Sequence, residues 1–529
     1  MVTDQLTRRR LLGALGTGLV GLAAPALVAG RAQAPLVRRA AALPARPNIL
    51  LIVTDQERAP RHWPAGWAEA NLPNRKRIAD QGLSFTNAFC NSCMCSPSRS
   101  TLFTGTYPAQ HGVIDTLTSG GSQSAAEPQL APTFQNLAHV LRSAGYNVQY
   151  RGKWHLSKGA DGGKPSSQDV AAYGFAGWLP PDAGEDTAVE NFGGGQANHD
   201  AAYAAQAAAF LATQTPAVTA EQPFALVVSF VNPHDLLAYP RTLNDDAVYS
   251  ADASKFSQGI SYSDIPSRHE NLLLNNKPRA HAQTLALLAA GLGVLADDAM
   301  RQNYVNFYAY LQKAVDAHIG TVLDALEANG LWERTVVIRT ADHGELGLAH
   351  GGLRQKMFNC YQETINIPLV IANPLLFPAP ASSGALATLV DVLPTIAGLA
   401  GVPPSPRWAW KGHDLGPLLA DPAGSVQDAI LFTFDDEKAG AQNGQNLVTQ
   451  PNHIRCMFDG RWKYARYFDP SGAEPEQYEL YDLQSDPHEL SNLSEANPDK
   501  RAEMAARLQA LEQERLGALH QVWLPLVQH

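Results

Sequence analysis

The chain has 529 residues, 40 basic and 50 acidic side chains, a formal charge of -10, and 45% hydrophobic against 17% charged residues. That length supports two or three domains, or one large α/β domain with a smaller partner, and the composition excludes disorder, collagen and supercharged binding modules. An acidic sum without basic blocks argues against a nucleic-acid binder but leaves room for a local positive site that takes an anionic substrate.

The first residues describe export. Thr7-Arg8-Arg9-Arg10-Leu11-Leu12 precedes an apolar, glycine- and alanine-rich run over residues 11–29, and Ala32-Gln33-Ala34 offers a small-residue cleavage site. Paired arginines before a weakly hydrophobic run resemble a twin-arginine export signal, here residues 1–34, which implies the twin-arginine machinery as a partner and a periplasmic or secreted product. The rival reading is an N-terminal anchor, because the run is near the lower length for spanning but diluted by glycine. No comparable run follows, so the mature protein is expected to have no stable membrane span.

Pro47-Asn48 leads into Ile49-Leu50-Leu51-Ile52-Val53, which ends at Thr54-Asp55-Gln56. Such a run reads as a buried strand, and open α/β sheets place ligands beyond the C-terminal ends of their strands. Two further runs repeat the pattern: residues 224–230 end at Asn232-Pro233-His234-Asp235, and residues 335–338 precede Asp342-His343-Gly344-Glu345. With crossover-length segments between them, these predict a mixed α/β sandwich.

Residues 201–211 and 304–327 have helix-forming composition, and in the second Tyr308, Leu311, Val315, Ile319, Val322 and Leu326 recur three or four apart before Gly330. Residues 159–167, 180–198 and 239–266 read as long loops, either substrate walls or plain connections. Trp63, Trp67, Trp178 and Tyr239 lie in loop-like stretches and serve equally well as an aromatic wall or as loop anchors. Residues 244–278 read as a lid or an oligomer contact. Breaks at 374–383 and 401–406 precede new strand-like runs at 430–434, 464–468 and 478–483. A final helix puts Met504, Leu508, Leu511 and Leu519 on one face. A catalytic domain over 47–427 and a smaller C-terminal α+β subdomain over 428–525 follow.

Five cysteines, Cys90, Cys93, Cys95, Cys360 and Cys456, are too few for a disulfide framework, and a bond between Cys90 and Cys93 stays open. The most informative stretch is Cys95-Ser96-Pro97-Ser98-Arg99-Ser100-Thr101-Leu102-Phe103-Thr104-Gly105. It sets a small nucleophile beside a constrained proline and an arginine four positions on, and a helix from Ser98 to Phe103 would favour an anion at its start. The bland reading is a buried cysteine at a helix start.

This stretch resembles the signature of type I sulfatases, in which the cysteine is converted to formylglycine (3-oxoalanine) by a formylglycine-generating enzyme. The resemblance continues through Gly152-Lys153-Trp154-His155, His234, Ala341-Asp342-His343-Gly344-Glu345, Lys356, Pro368-Leu369-Val370 and Leu480-Tyr481-Asp482-Leu483. It implies an alkaline phosphatase-like mixed-sheet sandwich. It also implies that Asp55, Gln56, Cys95, Asp342 and His343 hold one divalent cation, with calcium first and manganese or magnesium as rivals. Arg99, Lys153, His234 and Lys356 would bind the substrate anion. Lys153 and His155, taken to lie on a strand, would face one side. His155 would be the base that breaks down the covalent ester, while His234 and Lys356 would support the leaving oxygen. Gln362 and Glu363 would sit in the supporting shell with no direct role.

The implied chemistry uses a hydrated aldehyde. One hydroxyl attacks sulfur, the alcohol leaves, and deprotonation of the other expels inorganic sulfate. A small aryl or alkyl sulfate monoester is the implied substrate, favoured by the Lys153/His155 pair. Gln56 and His343 also resemble phosphonate monoester hydrolases, so phosphonate monoesters or phosphate diesters are the alternative. A scaffold with a dead hydrolase fold would have lost the nucleophile, the carboxylates or the cations, and none is missing.

Overall fold

Asn48–Asp55 forms β1, a strand with every residue buried, inside a seven-stranded sheet. The computed structural model describes residues 43–118, 124, 126–243, 252–405, 407–442 and 444–517. The expected export signal and Leu519 lie outside these residues, as does part of the 244–278 segment. The remaining strands of the sheet are β2 (Gly82–Phe89), β3 (Asn147–Gly152), β4 (Phe224–Pro233), β5 (Thr335–Ala341), β6 (Leu369–Ala372) and β7 (Ala381–Thr388), in the order β3-β4-β1-β5-β6-β2-β7.

β1 runs parallel to β4 and β5 on its two sides, and β3 is parallel to β4. β6 is antiparallel to both β5 and β2, which makes the sheet mixed. The three runs that predicted strands are therefore neighbours, and their C-terminal ends carry Asp55, His234 and Asp342 along one edge. Successive residues of β1 face opposite sides: Leu50 and Ile52 pack with Val315, Ile319 and Val322, while Ile49, Leu51 and Val53 pack with Leu102 and Phe103. A strand covered on both faces has no polar alternation, hence the continuous apolar run.

The expected helices appear as His199–Ala212 and Asp298–Ala328. The second begins earlier than its apolar period suggests, because Asp297 caps it by accepting from Met300 N at 2.8 Å. β7 begins inside the expected break at 374–383. Its sequence, Ala-Ser-Ser-Gly-Ala-Leu-Ala-Thr, pairs with β2 through its backbone and carries little strand propensity.

A second sheet follows, made of β8 (Ile430–Phe434), β11 (His453–Phe458), β12 (Trp462–Phe468) and β13 (Gln477–Asp482) in the antiparallel order β13-β12-β11-β8, with a short ribbon of β9 (Ala441–Gln442) and β10 (Gln445–Asn446). Met504, Leu508 and Leu511 of the Pro498–Leu516 helix pack on Leu431, Met457, Tyr464 and Leu480. The opposite face, through Ile430, Phe432, Ile454 and Cys456, joins the core of the main sheet.

Candidate active site

The helix Cys95–Thr104 begins at Cys95 itself, directly after Met94, which takes a left-handed backbone at φ 70. Every residue of this helix is buried, and Gly105 closes it at φ 64. Its start faces the C-terminal ends of β1 and β5. Cys95 Sγ lies 3.4 Å from His343 Nε2 and 3.7 Å from Asp55 Oδ1. Burial pushes the Cys95 thiol up, but Lys153, Lys356 and His343 outweigh it and hold the group well below the ordinary thiol range.

Asp55, Cys95, Asp342 and His343 each turn a ligand atom to one point, all four within 4.8 Å of one another and all buried. The donor chemistry fits a divalent cation. Two carboxylates supply anionic oxygen, and the tautomer of His343 is fixed: Nδ1 lies 3.1 Å from Gly344 O, which only accepts, so Nδ1 carries the proton and Nε2 turns its lone pair inward. Burial and the neighbouring Asp55 raise the Asp342 carboxyl to about 6, a conflict that a bound cation relieves. Gln56 turns its amide between two partners, donating from Nε2 to Glu345 Oε2 at 2.6 Å and accepting at Oε1 from Lys356 Nζ at 2.7 Å. A second lone pair on Oε1 is left for a cation.

Arg99 is wholly buried and differs from the expected clamp. It donates from Nε to Asp342 Oδ2 at 3.0 Å, from Nη2 to Asp55 Oδ2 at 3.1 Å, and from Nη1 to Ser229 Oγ at 2.7 Å and Lys153 O at 3.2 Å. Its planar fork ties the two carboxylates together. Lys153 Nζ reaches Asp55 Oδ2 at 2.5 Å and also donates to Gly184 O. Burial and Cys95 push the Asp55 carboxyl up, but Lys153, His234 and Arg99 prevail and hold it below the carboxylate range.

Lys153 and His155 do converge on Cys95, though not by strand alternation. β3 ends at Gly152, and His155 has a left-handed backbone at φ 53. Its Nε2 donates to Leu117 O at 2.7 Å, and the ring faces Cys95. Burial disfavours the imidazolium of His155, but contact with Cys95 outweighs it and raises its pKa. His234 opens the His234–Ala238 turn after β4 and also faces Cys95. Burial and Lys153 push it down to about 4, so it is neutral at pH 7. Lys356, buried, completes the ring through Gln56.

Sequence reasoning missed several supports. Glu345 accepts from Gln56, from Tyr304 Oη at 2.8 Å and from Gln355 N at 3.0 Å. Asp182 accepts from the Trp154 and His155 amides, and Ser229 accepts from Arg99 at its hydroxyl and from Lys153 N at its carbonyl; no motif marked either residue. Glu363 supports Glu345 through its backbone, where Glu345 N donates to Glu363 O at 2.9 Å. The loop aromatics act as anchors: Trp67 Nε1 donates to Gln258 O at 2.6 Å, and Trp178 Nε1 to Gly152 O at 2.7 Å. All five cysteines are free thiols. No helix among the described residues is long and apolar enough to cross a membrane.

The sulfatase family profile matches residues 47–402, and that of the N-sulphoglucosamine sulphohydrolase C-terminal region matches residues 350–515. Among curated relatives, a choline-sulfatase of Rhizobium meliloti is 27% identical over 86% of this chain and 83% of its own. An arylsulfatase K of Bos taurus is 26% identical over 93% and 86%. Among solved structures, the phosphonate monoester hydrolase of Silicibacter pomeroyi superposes with a TM-score of 0.67 at 20% identity, covering 92% of this chain and 98% of that one. A 2-O GAG sulfatase gives 0.66 at 20% identity over 90% and 94%.

Proposed function

The chain belongs to the sulfatase family and is a hydrolase of that kind, and we propose that it hydrolyses small aryl or alkyl sulfate monoesters to an alcohol or phenol and inorganic sulfate. The observation that carries this reading is Cys95 at the start of its helix, with His343 and Asp55 beside its sulfur and Lys153, His155 and His234 grouped around the same point. Anions are drawn here although the whole chain is acidic, because local charge decides.

Cys95, converted to formylglycine, supplies a hydrated aldehyde with one hydroxyl for attack and a second for release. Asp55, Asp342, His343 and the side chain at position 95 would hold one divalent cation, with Gln56 adding an amide oxygen; such an ion favours the deprotonated hydroxyl and polarises the ester. Calcium is our first choice on the oxygen-rich donor set, with manganese or magnesium as rivals. Arg99 positions the two carboxylates. Lys153 and Lys356 offset charge on the transferred group, and neutral His234 binds at the leaving oxygen. His155 takes a proton at Nδ1 in the release half of the reaction. Export through the twin-arginine route to the periplasm or beyond, after maturation by a formylglycine-generating enzyme, completes the reading.

A second reading, phosphonate monoester or phosphate diester hydrolysis by the same group, is favoured by Gln56 and His343 at the cation site. The test is kcat/KM on 4-nitrophenyl sulfate, 4-nitrophenyl phenylphosphonate and bis(4-nitrophenyl) phosphate, with enzyme matured by a formylglycine-generating system and Cys95→Ala as control. A sulfate preference of roughly tenfold, about 1.4 kcal/mol in the transition state, supports the first reading. An equal preference for either phosphorus ester overturns it.

A further inference from the structure

We propose that Asp182 is a positioning residue for His155, its carboxylate fixing the backbone that turns the His155 ring toward the side chain at position 95 and leaves Nδ1 as its free lone pair. This rests on the formylglycine mechanism above but not on which ester is the substrate.

Beyond Gly152 the chain leaves the sheet, so the N–H groups of Trp154 and His155 have no ladder to join. Asp182 supplies both acceptors: Oδ1 takes Trp154 N at 2.7 Å and Oδ2 takes His155 N at 2.8 Å. Two charge-assisted bonds offset the cost of the left-handed backbone that His155 adopts at φ 53. That backbone aims the ring. Leu117 O then selects the tautomer, because a carbonyl only accepts: the proton sits on Nε2, and Nδ1 is left as a lone pair with no hydrogen-bond donor.

The same short segment also braces Lys153, whose Nζ donates to Gly184 O. Gly184 has φ +73, and a Cβ there would lie 2.6 Å from Val231 Cγ1, so the close approach requires glycine. Tyr203 Oη, on the His199–Ala212 helix, donates to Pro181 O at 2.8 Å and anchors the segment from behind. Asp182 itself is buried, with 4% of its surface exposed. Among the described residues no side chain donates to its carboxylate; its two bonds are those to the Trp154 and His155 amides.

The placement suits the release half of the reaction. His155 takes at Nδ1 the proton of the second hydroxyl, sulfate leaves with the electron pair of its C–O bond, and the aldehyde re-forms. Attack and departure of the alcohol do not pass through His155, so loss of Asp182 slows the second half-reaction and spares the first.

The experiment follows 4-nitrophenol release by stopped flow, on whichever of the three esters the wild type turns over fastest. Wild type, Asp182→Asn, His155→Ala and the double variant are compared, with aldehyde content checked by mass spectrometry. The expected result for Asp182→Asn is a burst of one 4-nitrophenol per aldehyde, followed by turnover slowed about 10- to 100-fold. In the His155→Ala background the same change costs less than about twofold, because a residue acting through His155 has nothing left to position. Asp182→Glu, which keeps the charge but moves the carboxylate by a methylene, gives the same split and serves if the asparagine variant is unstable. Additive losses in the two backgrounds, or a burst slowed in step with turnover, overturn the proposal. Failure of the sulfate reading shows instead in wild-type substrate preference.

Discussion

Arg99 Nε donates to Asp342 Oδ2 over 3.0 Å, and neither side chain reaches solvent. Because Nη2 of the same guanidinium holds Asp55 at 3.1 Å, one cation sets the separation of two carboxylates at the ends of neighbouring strands. A lysine has no fork with which to do both. Arg99→Lys should therefore lower thermal stability by an amount on the order of 3 kcal/mol, the cost of breaking a buried pair, and weaken cation affinity. Denaturant unfolding and calorimetric calcium titration check both; an unchanged affinity would place the carboxylates under some other control.

Chelation should act on stability as well as on activity. A cation held at 100 times its dissociation constant contributes about 2.7 kcal/mol, all of it lost in excess EDTA. Tm should fall on chelation and recover on adding calcium or manganese, whichever the site prefers. Asp342→Asn should show a much smaller response. Equal responses in the two proteins would move the ion elsewhere.

His453 gives a pH dependence remote from the metal ligands. Burial disfavours its charge, but Asp435 at 2.9 Å and Glu437 at 2.6 Å prevail and raise it to about 9. The ordinary value is about 6.5. A histidine raised on folding gives stability that is complete below the unfolded pKa and lost as pH rises through the folded one. The wild type should thus lose up to about 3 kcal/mol between roughly pH 6.5 and 9, and His453→Gln should lose less over that window. Urea midpoints across the range decide it; parallel curves would refute the assignment.

Gly152 ends β3 at φ +101, where a Cβ would meet Ser229 O at 1.9 Å. Both the backbone conformation and the clash oppose a side chain, and Ser229 O already accepts from Lys153 N at 2.9 Å. Gly152→Ala should destabilise by more than about 2 kcal/mol and lower kcat by displacing Lys153. A shift in Tm of less than a degree or so would show that the strand end yields.

Cys95, the clustered carboxylates Asp55 and Asp342 and the three central strands were legible because each sits in a short contiguous motif. A strand buried on both faces is an apolar run, and the polar residues that follow it mark the sheet edge. β7 was not legible, being built of small residues that pair through the backbone. The Lys153/His155 convergence was expected for the wrong reason, since the strand ends before both.

The sequence by itself determined the family and the residues that gather at its site: the Cys95 signature, the acids at positions 55 and 342, and the cations at 99, 153 and 356. Only the tertiary structure decided what each cation holds. Arg99 is placed against carboxylates rather than in an open cage, and Lys153 between Asp55 and Gly184 O. It likewise brought Asp182, from a proline- and glycine-rich loop, under His155. The physical reason is that a buried charge or N–H must find a partner, and that partner is chosen by proximity in the fold, with no trace in local periodicity.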